Sequence, residues 1–320
     1  MSKLVAGLDG FFFLLVAAVG LAWLFPAIGA AQEFFSLSSL ANYGICVIFF
    51  FYGLKLSRNK LRTGLANKNL HILIHLTTFV LFPALILLIR PLFQGDDLWL
   101  LWLGIFYLAA LPSTVSSSVV MVSKAKGNVP AAIFNASISS LMGVFITPLW
   151  MSLILSSASG VEMTTLWSII GKLMMQVLAP VALGMALNPH WGHFAEKHSS
   201  KIRIYDQSII LLIVYTSFCS SFAHNVFTGF SPATVIVCAA GMVTLFFIVF
   251  GLVGIACRKL KMNREDTITA QFCGSKKSLI HGTAMSTVIF AGYSSLGVVL
   301  LPIMIYHALQ LMIVSTLAKK

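Results

Sequence analysis

The feature that most limits the fold of this chain is a set of long apolar runs that recurs from one end to the other. A helix needs about 20 mostly apolar residues to cross a bilayer. Ten runs of this kind are present, at 10–29, 37–56, 70–93, 98–122, 130–155, 163–187, 207–228, 232–256, 266–290 and 294–317. Of the 320 residues, 58% are hydrophobic and 9% are charged, which leaves no stretch for a soluble domain. We therefore predict an all-α polytopic membrane protein with ten transmembrane helices in one membrane unit.

The connections between the runs are short and contain residues that favour turns. Examples are Gly95-Asp96-Asp97, Asn188-Pro189 and Gly229-Phe230-Ser231-Pro232. We expect a loop at each of them. The stretch Gly127-Asn128-Val129-Pro130 predicts a loop followed by a helix with proline near its first turn.

The 21 Lys and Arg residues, which give the chain a net charge of +12, cluster in alternate connections. Short loops rich in Lys and Arg stay in the cytoplasm. If the N-terminus is cytoplasmic, these 17 fall on the same side: Lys3, Lys55, Arg58, Lys60, Arg62, Lys68, Lys124, Lys126, Lys197, Lys201, Arg203, Arg258, Lys259, Lys261, Arg264, Lys319 and Lys320. We therefore predict that both termini are cytoplasmic. The basic excess marks topology, so the expected partner is the lipid bilayer and no nucleic acid is expected to bind.

The cysteine residues show no spacing typical of a metal site, and one pair of histidines leaves a metal site as the less common alternative. All five cysteines lie in or at the ends of apolar runs and are expected to be buried thiols. His71 and His75 stand four residues apart beside a basic loop, where an interfacial pair is commoner than a metal site. We predict no metal and no cofactor, apart from a coupling ion.

Two adjacent lysines lie in the middle of the ninth run. Lys172, in the sixth run, has a side chain long enough to reach the interface. Lys276 and Lys277 lie near the centre of theirs, where each lysine costs about 2.5 to 3.5 kcal/mol. Neighbouring residues of a helix point about 100° apart, so both cannot face one side. The segment Cys273-Gly274-Ser275-Lys276-Lys277-Ser278 therefore predicts a helix that is broken and lines a cavity.

A second break is predicted in the fourth run. Pro112 lacks a backbone donor, and five of the six residues at 113–118 carry hydroxyl groups. Val115 and Ser275 are 160 residues apart, half of the chain, so the fourth of five runs in one half matches the fourth of five in the other. Because each half has an odd number of spans, the two halves have opposite orientations in the membrane. We predict two inverted five-helix repeats, 1–156 and 157–320, whose broken helices 4 and 9 cross at the midplane.

At these residues the chain resembles the bile acid:sodium symporter family, over nearly its whole length. The resemblance is closest to a divergent bacterial, SBF-like branch, which shares the string FCGSKKSL at 272–279 and the Lys-x-Lys-Gly-Asn-Val string at 124–129. It implies ten helices in two inverted repeats, with helices four and nine unwound and crossing. It also implies location in the cell (inner) membrane.

The chain departs from the family at the sodium ligands that the resemblance implies. The family's glutamate falls at Gln271, and its glutamine-asparagine pair falls at Ser275-Lys276. Its serine-asparagine pair falls at Ser117-Ser118 or Ser118-Val119, and its span-five hydroxyls fall near Ala132 and Ala136. Loss of a carboxylate and gain of ammonium groups opposes the binding of two sodium ions in a low dielectric. The coupling ion is left as a proton or sodium.

We predict a secondary active transporter, a symporter of a small organic anion that works by alternating access. Lys276 or Lys277 would take the place of a cation and pair with the substrate. The side chains of Asn135 and Ser139 share a helix face. They could serve helix packing or contact a ligand, and the sequence favours neither role over the other. The candidate substrate- and ion-binding residues are Thr114, Ser116, Ser117, Ser118, Asn135, Ser139, Ser140, Gln271, Ser275, Lys276, Lys277 and Ser278.

Two other functions stay open at this point. A transporter fold could act as a membrane regulator of ion homeostasis, and Ser275, Lys276, Lys277 and His281 could form an intramembrane Ser-Lys hydrolase. No glycine-rich nucleotide loop is present, so transport driven by ATP is not predicted for this chain. Neither the substrate nor the oligomeric state follows from these residues.

Overall fold

The structure is a computed structural model that describes residues 10–30, 36–55, 67–159, 168, 171–172, 174–229, 231–291 and 293–318. Its α-helices are α1 (Gly10–Leu24), α2 (Pro26–Ala30), α3 (Leu37–Leu54), α4 (Lys68–Leu76), α5 (Phe82–Leu88), α6 (Asp96–Ala110), α7 (Ser116–Lys124), α8 (Val129–Ser159), α9 (Ala179–Lys197), α10 (Ser199–Ala223), α11 (Pro232–Lys259), α12 (Arg264–Gly274), α13 (Leu279–Ile289) and α14 (Leu296–Leu317). Single π-helical turns, Thr77–Leu81 and Met174–Leu178, precede α5 and α9. The described residues contain no strand.

Among the described residues, six helical segments are long and apolar enough to cross a membrane: Leu37–Leu54, Lys68–Leu92, Val129–Leu155, Ser199–Ala223, Pro232–Lys259 and Leu296–Leu317. Gly10–Leu24 and Leu98–Ala110 are shorter apolar helices. Large apolar side chains such as Leu88 and Val237 point outward, as expected of a surface that faces lipid. The chain is therefore an all-helical membrane protein. The start of the sixth predicted span, at 163–167, and Lys3, Arg58, Lys60, Arg62, Lys319 and Lys320 lie outside the described residues.

The helices pack in two groups. α3 runs along α9, and α10 packs against α1, α2 and α3. We call these five helices the outer bundle. The others, α4–α8 and α11–α14, pack mainly against one another and form what we call the crossing bundle. Each bundle draws helices from both halves of the chain, and the two meet where α10 contacts α13 and α14 and where α3 contacts α13.

Both predicted helix breaks are present. α6 ends at Ala110 because Leu111 precedes Pro112 and takes an extended conformation, with φ −70° and ψ 152°. α7 begins at Ser116. α12 ends at Gly274, and α13 begins at Leu279 with Ser278 as its N-cap. Each break therefore separates two short helices that follow one another in the chain.

The loop predicted at Asn188-Pro189 is wrong. α9 continues through Pro189 to Lys197, and α10 begins at Ser199, eight residues before the predicted start of the seventh span at 207. Proline removes one helical hydrogen bond. The helix persists there because Asn188 Nδ2 donates to the carbonyl of Leu54 at 2.7 Å and fastens α9 to the end of α3.

Three asparagines join the first turns of α4, α8 and α12. The side-chain oxygens of Asn67, Asn128 and Asn263 each cap their own helix by accepting a backbone N–H three residues on. The side-chain amides of Asn67 and Asn128 also donate to the carboxylate of Asp266, at 2.8 and 2.9 Å. Asp266 is buried in the first turn of α12, where the helix dipole favours a negative charge. We call these four residues the asparagine clasp.

Replacing the carboxylate of the clasp should destabilise the protein. In Asp266→Asn one oxygen becomes an amide donor that faces the amide donor of Asn67 or Asn128. Leaving buried donors without acceptors costs about 1–3 kcal/mol. We expect a lower midpoint of thermal unfolding, measured on purified protein in detergent.

The matched control for the clasp is Glu265→Gln, which makes the same chemical change in the same turn at an exposed position. It should leave the midpoint near that of the wild type. Equal midpoints for Asp266→Asn and the wild type would show that the clasp does not hold the helices together.

Candidate functional site

The two helix breaks lie against each other. The backbone N–H of Ser278 donates to the carbonyl of Pro112 at 2.9 Å. The Ser113 hydroxyl donates to the carbonyl of Cys273 at 2.7 Å. Segments that are about 160 residues apart in the chain therefore form one junction, and the predicted site residues Ser275, Lys276, Lys277 and Ser278 lie in it.

Residues of α8 bind the first break. Ser139 Oγ accepts the backbone N–H of Ser113 at 3.0 Å, and Thr147 Oγ1 donates to the carbonyl of Ala110 at 2.7 Å. Gly143 lets the helix come close, because a Cβ there would lie 2.6 Å from Cγ of Pro112. The predicted residue Ser139 thus supports the break, whereas Ser140 donates to Ala136 within its own helix.

Residues of α14 bind the second break. The Gln310 side chain accepts the backbone N–H of Lys277 at 2.9 Å and donates to the carbonyl of the same residue at 2.8 Å. Tyr306 donates its hydroxyl to the carbonyl of Ser275 at 2.6 Å. Neither residue was predicted. Gln310 is a lone amide inside an apolar run, and that placement was a signal for a buried polar role.

Lys277 is fully buried and binds three backbone carbonyls. Its ammonium group donates to Thr78 O at 2.7 Å, to Ala109 O at 2.6 Å and to Leu111 O at 2.9 Å. It also lies 4.2 Å from the ring centroid of Phe82, on the ring face. An ammonium has three donors, and all three are used here. Lys277 therefore holds the end of α6 against the third helical segment, which runs from α4 through the π turn Thr77–Leu81 to α5.

The carbonyl of Thr78 is available to Lys277 because the helix around it is irregular. The N–H of Phe82 donates to Thr77 in the π turn, and the next residue, Pro83, has no N–H to offer. The carbonyls of Thr78 and Phe79 thus lose their helical partners. Lys277 donates to the carbonyl of Thr78, and the indole N–H of Trp150 donates to the carbonyl of Phe79 at 2.9 Å.

Lys276 is also fully buried, but it points to the other half-helix. Its ammonium donates to the hydroxyl of Ser117 at 2.9 Å, in the first turn of α7. Thr114 Oγ1 lies 2.8 Å from Ser117 Oγ and 2.9 Å from Ser118 Oγ, so the three hydroxyls form one chain. No side-chain hydrogen bond caps α7 at Val115. The side chain of Ser116 lies outside the described residues.

Asn135 binds His71. Its Nδ2 donates to the carbonyl of Ala131 at 2.8 Å, so its Oδ1 accepts from His71 Nδ1 at 3.1 Å. His71 therefore carries its proton on Nδ1, and its buried Nε2 has no hydrogen-bond partner among the described residues. His71 is only 8% exposed, because α8 supplies it with a polar partner inside the protein.

The remaining predicted residues make local contacts. Gln271 donates its amide to the carbonyl of Phe250 in α11, so that amide does not join the junction. Ser275 Oγ donates to the carbonyl of Gln271. Ser278 caps α13 and lies 2.9 Å from Nδ1 of His281. In the part of the chain that the structure describes, no three His, Cys, Asp or Glu side chains form a group that could hold a metal ion.

The junction thus carries two buried positive charges. The Ser117 hydroxyl that binds Lys276 and the three carbonyl groups that bind Lys277 are neutral. An arrangement of this kind favours an anion over a cation, because buried charges attract the opposite sign strongly in a low dielectric.

Comparison with known proteins identifies the family of this chain. The model of the SBF-like CPA transporter family (DUF4137) matches residues 9–320. The chain is 38% identical to "Uncharacterized protein PA2026" of Pseudomonas aeruginosa, over 98% of this chain and 92% of that protein. It is 36% identical to "Putative symporter YfeH" of Escherichia coli K12, over 99% and 94%. It is 30% identical to "Sodium/bile acid cotransporter 7" of Mus musculus, over 95% and 89%.

These relatives agree with the predicted resemblance and answer the question of class. The family is one of transporters, and two of these relatives carry the names of a putative symporter and a cotransporter, so the chain is not an enzyme and the hydrolase alternative is set aside. The match covers both helix breaks and all the residues of the junction. The chain belongs to the SBF-like CPA transporter family, a family of membrane transporters related to the bile acid:sodium symporters.

Proposed function

We propose that the protein is a secondary active transporter that carries a small organic anion across the cell (inner) membrane by alternating access. The observation that carries this proposal is the fully buried ammonium of Lys276, which donates to Ser117 where the two breaks meet. A charge inside a membrane protein is expensive, and it is usually kept for a substrate or ion pathway.

The proposed architecture has ten spans in two inverted five-helix repeats, 1–156 and 157–320, with both termini in the cytoplasm. Its support comes from the breaks in α6–α7 and α12–α13, which fall in the fourth and ninth apolar runs. The bond between Ser113 and Cys273, 160 residues apart, joins matching positions of the two repeats. The crossing of the two broken helices would then lie at the midplane, where transporters of this kind bind substrate.

The proposed substrate site lies between Lys276 and the first turn of α7. The N-terminus of a helix attracts anions through its free N–H groups and its dipole. Lys276 adds a full positive charge, and the hydroxyls of Thr114, Ser117 and Ser118 add hydrogen bonds. A carboxylate or sulfonate bound there would take over the hydrogen bond that Ser117 now receives. Ser117 is only partly buried, so the site is open on that side.

The proposed transport cycle needs no sodium at the junction. Gln271 stands where the family's glutamate falls, and its amide is bound to Phe250. A sodium ion about 4 Å from an ammonium would be opposed by about 4 kcal/mol at an effective dielectric constant of 20. The amine of Lys276 can take up and release a proton, and it lies where the two breaks meet, so Lys276 is the group that we assign to carry a coupling proton.

Removing the charge of Lys276 should weaken anion binding. Loss of one charge-assisted hydrogen bond makes the binding free energy less favourable by about 1.5–3 kcal/mol, which corresponds to roughly a 10- to 100-fold lower affinity. We would reconstitute the protein in liposomes and measure counterflow of radiolabelled acetate, lactate, succinate, taurocholate and ethanesulfonate. Lys276→Gln should then raise the concentration needed for half-maximal exchange of the transported anion.

The matched control is Lys124→Gln, an exposed lysine at the other end of α7. It should transport like the wild type, and Ser117→Ala should show a smaller loss than Lys276→Gln. If Lys276→Gln exchanged the anion as well as the wild type does, the proposed substrate site would be wrong. A folded protein that exchanges no anion of the panel would favour the regulator of ion homeostasis over a transporter.

Transport should not depend on sodium. Uptake of the exchanged anion should be equal in sodium, potassium and N-methylglucamine buffers, because the junction already holds two ammonium groups. An inwardly directed proton gradient should accelerate uptake in the wild type and have little effect in Lys276→Gln. Uptake that requires sodium in both proteins would overturn this assignment.

A further inference from the structure

The three carbonyl groups around Lys277 converge on one point from two segments of the chain. Thr78 lies in the π turn of the third helical segment, and Ala109 and Leu111 lie at the end of α6. Their oxygens are 2.6–2.9 Å from the ammonium nitrogen. We infer that these carbonyls form a binding site for a monovalent cation of ammonium size, and that Lys277 fills this site permanently from within the chain.

The size of the site fits an ammonium group. Hydrogen bonds from N–H groups to oxygen are about 2.7–3.2 Å long, whereas Mg²⁺ and Ca²⁺ bind oxygen at about 2.0–2.6 Å. The three distances at Lys277 lie near the first range. Three carbonyls also match the three donors of a primary ammonium, so a bound alkylammonium would leave no donor unsatisfied.

The charge of the site fits a single positive charge. All three ligands are neutral carbonyls, and two of them belong to the C-terminal end of α6, where the helix dipole is negative. The face of the Phe82 ring, 4.2 Å away, adds a cation–π contact. A divalent ion would need carboxylate ligands to balance its second charge, and none of these partners is a carboxylate.

The carbonyls are held in place by bonds that do not involve the Lys277 ammonium. Their chain neighbours are fixed: Phe79 binds Trp150, Ala110 binds Thr147 and Pro112 binds Ser278. A shorter side chain at position 277 would therefore leave three buried carbonyls without donors. Such groups are costly, and a cation that enters the space would restore their hydrogen bonds.

Lys277→Ala with added propylammonium tests this inference. Alanine lacks the four atoms Cγ, Cδ, Cε and Nζ, and propylammonium supplies three carbons and one ammonium in the same order. The wild type and the variant would be purified in detergent, and their midpoints of thermal unfolding would be followed against propylammonium concentration. We expect the variant to unfold at a lower temperature and to regain stability in a saturable way, as a ligand of the native state does.

Three controls separate specific binding from a solvent effect. 1-Propanol has the same chain without the charge and should not rescue Lys277→Ala. Lys277→Met fills the space with an apolar chain, so propylammonium should not rescue it. Lys276→Ala removes the neighbouring lysine, and propylammonium should not raise its midpoint of thermal unfolding either. Equal effects of propylammonium on Lys277→Ala and Lys277→Met, or equal rescue by 1-propanol, would overturn the inference.

A variant that does not fold without a ligand still gives a clear result. Cells that express Lys277→Ala would be grown and extracted with or without propylammonium, and the monodisperse peak in size-exclusion chromatography would be compared. Recovery that requires propylammonium supports the cation site, and no recovery in either condition counts against it. The readout is stability, so failure here leaves the anion-transport proposal standing, and failure of counterflow leaves this inference standing.

Discussion

The structure depends on one constraint: backbone groups that are freed by breaking a helix inside a membrane have no water to bind. At the junction, the freed backbone groups bind side chains in place of their missing helical partners. Ser113 N–H is bound by Ser139, so it cannot serve Ala109 O, and Lys277 does so instead. Lys277 N–H is bound by Gln310, so it cannot serve Cys273 O, and the Ser113 hydroxyl does so instead. Each exchange draws another helix into the junction, which makes the crossing bundle one hydrogen-bonded unit.

The same logic governs the charges of the bundle. At the asparagine clasp, three helix N-termini meet, and the buried carboxylate of Asp266 lies among them. At the end of α6, freed carbonyls meet the ammonium of Lys277. These two buried charges thus stand at helix ends of opposite polarity to their own. Lys276 differs, because it binds a side-chain hydroxyl at the start of α7, where a helix dipole repels a cation and attracts an anion.

The sequence predicted the breaks but not how they are held. Pro112 and the pair of central lysines identify both breaks, because each conflicts locally with a membrane helix. Which lysine faces which partner could not be predicted, since the direction of adjacent side chains outside a helix depends on local dihedral angles. Gln310 binds the second break, and His71 binds Asn135, through contacts distant in sequence. The loop predicted at Asn188-Pro189 failed for a similar reason, since a contact with Leu54 outweighs the local effect of proline.

The contacts between the two bundles include both hydrogen bonds and ring contacts. Ser221, at the end of α10, donates to Ser294 O at 2.8 Å and accepts from Gly297 N–H at 3.0 Å. Elsewhere, His281 meets the bundle boundary through edge-to-face contacts with Phe49 and Tyr52 on α3. A hydrogen bond also crosses the boundary at α3, where the hydroxyl of Tyr52 donates to the carbonyl of Ser137 in α8 at 3.3 Å. Edge-to-face ring contacts and hydrogen bonds both have preferred geometries. The two bundles are therefore joined by directional contacts at two places, one on α10 and one on α3.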